Sequence, residues 1–136
     1  MPAPADAARA APLVLVADSE PLYRWFVGEM LAEAGYPVVL CGRASEVVTC
    51  MNRGEPVQLA LIDAHLPDAD GCELARWLTE SVIGDVGPPA TAILDDRDEL
   101  DPAGEPSLRG VRIVEKPEDR ESLLALVREM QGNQAA

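Results

Sequence analysis

Leu59-Ala60-Leu61-Ile62-Asp63-Ala64-His65-Leu66-Pro67-Asp68-Ala69-Asp70-Gly71 is the stretch that decides how this chain is read. Four apolar residues in a row mark a strand buried on both faces, as the strands of a parallel sheet are. The run ends on a carboxylate, Asp63, and passes into a loop of turn-forming residues. Working outward, the same apolar pattern recurs at residues 13–17, stopping at Asp18, and at residues 38–40. It returns at 91–94, before Asp95 and Asp96, and at 111–114, just before Lys116.

Helical patterns fill the gaps between these strands. Pro21 suits a first helical turn, and Leu22, Trp25, Phe26, Met30 and Leu31 recur at helical spacing before Gly35. Helices are predicted near 45–52, closed by Gly54, and over 72–80; the last, over 119–130, puts Leu123, Leu124, Leu126, Val127 and Met130 on one face. Trp25 and Trp77 are expected to pack into the core from their helices. The segment 95–109 should carry a helix as well, but Pro102, Gly104 and Pro106 interrupt it, so a short helix or irregular loop is expected. Strict alternation of short apolar strands with helices calls for a parallel sheet with helices on both faces.

The chain has 136 residues, enough for one core and too few for two. Residues 1–12, rich in Ala and Pro, lack the apolar core of a secretory signal and read as a disordered leader. The domain is placed at 13–130, with a tail at 131–136. No apolar run approaches the roughly 20 residues of a membrane-spanning helix, so no membrane insertion is expected. Cys41, Cys50 and Cys72 are odd in number and widely spaced, which suits reduced thiols and a cytoplasmic location. Eleven basic residues against twenty-four acids, a net charge of -13, argue against direct nucleic-acid binding.

Ligands of open α/β sheets bind outside the carboxyl ends of the strands. Asp18, Asp63, Asp95, Asp96 and Lys116 all fall at that edge. Taken singly, an Asp after a strand is often a turn or cap residue, and a Lys there is often merely solvated. Together they suggest a hard divalent cation such as Mg²⁺ among the carboxylates, with Lys116 as a fixed charge able to balance a phosphoryl group.

Residues 59–71, with the acid Asp63, Pro67 four residues on and Gly71 eight residues on, resemble the phosphoacceptor segment of response-regulator receiver domains. Lys116-Pro117 resembles the family's Lys-Pro pair, and residues 16–21 resemble its acidic turn. The resemblance spans about residues 13–130 and implies a flavodoxin-like five-stranded sheet in the order 2-1-3-4-5. It implies that Asp63 takes a phosphoryl group from a histidine kinase or histidine phosphotransfer protein. Mg²⁺ would be held by Asp18, Asp63 and the main-chain carbonyl of His65. Lys116 would pair with the phosphoryl oxygens, and the bond between Lys116 and Pro117 would be cis. The His65 side chain, at a position that varies in the family, would tune the lifetime of the phosphoryl group.

Three positions depart from the pattern. Ser19 stands where the family has a second acid, leaving Glu20 as a substitute ligand. Asp95, or Leu94 if the alignment slips by one, stands where a Thr or Ser hydroxyl reports the phosphoryl group, and Ile113 where an aromatic relays it. The expected function is a single-domain receiver signalling by contact with a downstream protein. Its catalysis is confined to its own phosphorylation and dephosphorylation. The alternative is a pseudo-receiver that docks partners without phosphorylation; a flavin binder on the same fold fits less well, because Asp18-Ser19-Glu20 would repel phosphate in the absence of a metal, and a phosphatase fits less well for want of a general acid or base.

Overall fold

The computed structural model describes residues 11–80, 87–95 and 110–135. The apolar runs form five strands: β1 (Leu13–Ala17), β2 (Val38–Cys41), β3 (Val57–Asp63), β4 (Ala90–Asp95) and β5 (Arg112–Glu115). All pair in parallel, in the order β2-β1-β3-β4-β5. Between and after them lie α1 (Pro21–Glu33), α2 (Ala44–Asn52), α3 (Gly71–Thr79) and α4 (Arg120–Ala135). This is the flavodoxin-like architecture that the strand pattern and the resemblance imply.

Because side chains alternate along a strand, the central strands feed two cores at once. Val14, Val16, Leu59, Leu61, Ala92 and Leu94 face α1 and α4, meeting Val27, Leu31, Leu123 and Val127. Leu15, Ala17, Ala60 and Ile62 face the other way, onto Val47, Cys50 and Met51 of α2 and Leu74 and Leu78 of α3. Full burial of a Leu or Ile side chain contributes about 2 kcal/mol, so these paired layers carry the fold. Their apolar middle is also why the polar ends of β1 and β3 are held so firmly.

Proline or loop side chains start the helices. Pro21 opens α1, and Asp70 caps α3 by accepting from the Cys72 amide at 2.7 Å. Arg43, which precedes α2, offers no side-chain cap. Asp68 of the β3–α3 loop supplies one instead, accepting from the Ala44 and Ser45 amides at 2.7 and 3.0 Å. Those bonds hold the Asp68 carboxyl below the usual carboxylate range. The loop that follows Asp63 is therefore fastened to the next helix over.

Several expectations change. β5 lies one residue later than its apolar run, because Val111 is buried without joining the ladder. The last helix starts at Arg120, with Asp119 outside it accepting from the Ser122 amide at 2.7 Å, and continues through the polar residues after Met130 to Ala135. Trp25 is 62% exposed and Trp77 36%, so neither is core. On α1 the inward arc holds Val27, Gly28 and Leu31, which leaves Leu22 and Trp25 facing water. Residues 1–10 of the expected leader, and residues 96–109 with Asp96 among them, lie outside the described residues.

Candidate functional site

β1 and β3 are neighbours whose helices depart to opposite faces, so a crevice opens at their carboxyl ends. Asp18 and Asp63 stand in it, 1% and 4% exposed. β5 delivers the third member: the Lys116 ammonium lies 3.0 Å from Asp18 Oδ2 and 3.6 Å from Asp63 Oδ1. The lysine is itself largely buried, and it is fixed by its own backbone, whose amide donates to the Asp95 carbonyl at 3.0 Å. Three of the residues singled out from sequence thus converge on one point.

Burial pushes the Asp18 carboxyl above its usual range, and the charge of Asp63 pushes the same way; the Glu20 amide and Lys116 only partly oppose this. Two carboxylates sharing one ammonium leave net negative charge in a poorly solvated pocket. The donors on offer are all oxygens, the kind Mg²⁺ selects. Among the described residues no three His, Cys, Asp or Glu side chains cluster tightly enough to cage a metal. Mg²⁺ needs no such cage, because it keeps several waters and commonly takes one or two carboxylates plus a phosphate. The residues present fit that incomplete type of site.

Asp63 is fully engaged. Its Oδ1 accepts from the His65 amide at 3.0 Å. Its Oδ2 accepts from both the Ser19 amide at 3.2 Å and the Ser19 hydroxyl at 3.0 Å. Asp18 Oδ1 takes the Glu20 amide at 2.9 Å, and the Asp18 carbonyl takes the Arg24 guanidinium at 2.7 Å. Gly71 packs directly on the acceptor strand: a Cβ there would collide with the Asp63 carbonyl and come within 2.8 Å of Ala64 Cα. The spacing from Asp63 to Gly71 thus has a steric cause.

The other predicted residues surround this centre. Glu20 lies at the mouth, lining a recess with Tyr23, Glu115, Lys116 and Glu118. The exposed His65 imidazole turns toward Asp95, with Nε2 4.0 Å from the buried Oδ1. Asp95 closes β4 beside the site, and Ile113 sits half-buried in β5 opposite Ile93. The cis bond expected before Pro117 is not found; no cis peptide occurs among the described residues. A trans bond is the favoured isomer even before proline, and across it Lys116 already reaches both carboxylates.

Tyr23 was not anticipated. Its ring lies under the Lys116 ammonium at 5.0 Å, and its hydroxyl donates to the Pro117 carbonyl at 2.8 Å. Burial, reinforced by Asp18, pushes the phenol pKa up, so it stays a neutral donor. The only sequence signal for it is its place in the first turn of α1, close behind the acidic turn.

Comparison with known proteins agrees with this geometry. The chain is 39% identical over 71 residues to the transcriptional regulatory protein AruR of Pseudomonas aeruginosa, covering 49% of this chain and 29% of that one. It is 36% identical over 67 residues to the sensor protein TorS of Escherichia coli, covering 49% and 7%. The chain therefore spans only a minor part of the curated relatives it matches. In fold it resembles the signal receiver domain of an HD domain-containing protein from Pseudomonas fluorescens, with a TM-score of 0.77, 22% identity, and 92% and 98% of the two chains covered. No described helix is long and apolar enough to cross a membrane. The family model for the response regulator receiver domain matches residues 14–128, and with that match the chain belongs to the receiver domains of two-component response regulators.

Proposed function

We propose that Asp63 accepts a phosphoryl group from a histidine kinase or histidine phosphotransfer protein, and that the domain then signals by contact with a downstream protein. The observation that carries this reading is the buried convergence of Asp18 and Asp63 on Lys116. In the transfer, a carboxylate oxygen of Asp63 forms a bond to phosphorus as the phosphorus–nitrogen bond of the donor breaks. The departing imidazole keeps the bonding electrons and takes up a proton. Asp18, Asp63 and the His65 carbonyl would hold Mg²⁺, with Glu20 at the mouth as a substitute ligand. When bound, the metal supplies positive charge to the phosphoryl oxygens. Lys116 adds a second positive charge and needs to move little, since it already lies between the two carboxylates. The half-buried Tyr23 ring and its hydroxyl steady the lysine and its loop while charge redistributes.

Two features favour a second reading, a docking module that works without phosphorylation. Asp95 puts a buried carboxyl where a reporting hydroxyl belongs, and Leu22 and Trp25 offer exposed apolar surface on α1. Incubation with Mg²⁺ and a small acyl phosphate, followed by intact-mass measurement, separates the two. The first reading expects one phosphoryl group on the wild type and none on Asp63→Asn. An unmodified wild type, with metal binding shown separately, leaves the docking module.

A further inference from the structure

We infer that Ser19 is a removable plug on the acceptor: its hydroxyl occupies Asp63 Oδ2 in competition with the metal. The inference rests on the phosphoacceptor reading above and adds a control that this chain builds from its own residue. A carboxylate oxygen offers two lone-pair sites. At Asp63 Oδ2 both are taken by Ser19, one by its amide at 3.2 Å and one by its hydroxyl at 3.0 Å. Oδ1 is held by the His65 amide and faces Lys116. A cation approaching Oδ2 must therefore displace a donor, and the two donors differ in how readily they leave. The amide is fixed by the chain, whereas the hydroxyl belongs to an exposed residue and can rotate out to water. The plug is thus the side chain and not the backbone.

This differs from treating Ser19 as a poor substitute for an acid. A substitute ligand would help the metal, and its removal would weaken binding. A plug opposes the metal, and its removal strengthens binding. The signs are opposite. A hydrogen bond to a charged group shifts an equilibrium by about tenfold or more, which sets the size of the effect.

The test is calorimetric titration of Mg²⁺ into the wild type, Ser19→Ala and Ser19→Thr, with acyl-phosphate labelling of each at sub-saturating Mg²⁺. Ser19→Ala should bind Mg²⁺ about tenfold more tightly and label faster, and Ser19→Thr, which keeps the hydroxyl, should match the wild type. Unchanged or weaker Mg²⁺ binding by Ser19→Ala overturns the plug, as does the absence of binding in all three proteins. Tighter binding by Ser19→Ala with no adduct on any protein supports the plug on the metal site while removing the phosphoacceptor reading. Ser19 is exposed and outside the core, and Ser19→Thr guards against a change in loop structure alone.

Discussion

The carboxyl edge of the sheet has two unlike halves. At β1 and β3 the two acids Asp18 and Asp63 are buried, and the largely buried lysine that follows β5 reaches both of them. At β4 and β5 stand Asp95 and Ile113, at the positions where the family resemblance implies a reporting hydroxyl and an aromatic. Under the proposed function, the contrast makes accepting a phosphoryl group and announcing it separable tasks. Acceptance needs charges converging on one point. Announcement needs a donor that can follow the new group, and a carboxylate cannot do that.

The sharpest way to break the acceptor half is to remove its countercharge. Lys116→Met leaves Asp18 and Asp63 facing each other in a buried site, and should lower unfolding free energy by about 3 kcal/mol. Adding Asp63→Asn to that background should recover part of the loss; denaturant titration of both proteins measures it. Gly71→Ala comes next, because its Cβ must push back the backbone of Asp63 and Ala64. About 2 kcal/mol of stability should go, together with Mg²⁺ affinity, whereas an equal loss of stability in the core would leave affinity intact.

The switch half can be rebuilt without disturbing the acceptor. Asp95→Thr introduces a hydroxyl beside the site, so amide shifts on phosphorylation should spread into β5 in the variant and stay out of it in the parent protein. The smallest effect is expected where the acceptor loop meets α2. The Asp68 carboxyl is held low by the amides it caps, so its contribution is full above the ordinary carboxylate pKa and is lost as pH falls through its own depressed value. Asp68→Asn should melt at a slightly lower temperature at neutral pH, and the difference should shrink on acidification; thermal melts across the acid range check the sign.

The halves also differ in how far they could be read from sequence. Strands buried on both faces leave continuous apolar runs, so β1, β3 and β4 were plain, and with them the positions of Asp18, Asp63 and Asp95. Apolar character reports burial and not hydrogen bonding, which is why β5 was placed one residue early: Val111 is buried but unpaired. The same limit misplaced Trp25, since helical spacing marks a stripe but not which of its edges meets the sheet. The convergence of Lys116 on two acids followed from topology. The bonds from Ser19 to Asp63, from Asp68 to α2 and from Tyr23 to Pro117 did not, because each depends on how a loop turns in space.

The separation of the two halves is most directly tested by hydrogen exchange resolved by peptide, with and without Mg²⁺ and an acyl phosphate. The account predicts one phosphoryl group on the peptide containing Asp63, with slowed exchange around Ser19, Asp63 to His65 and Lys116, and unchanged exchange across β4 and β5. A phosphoryl group elsewhere, or protection that spreads through Ile113 and α4 in the parent protein, would contradict it.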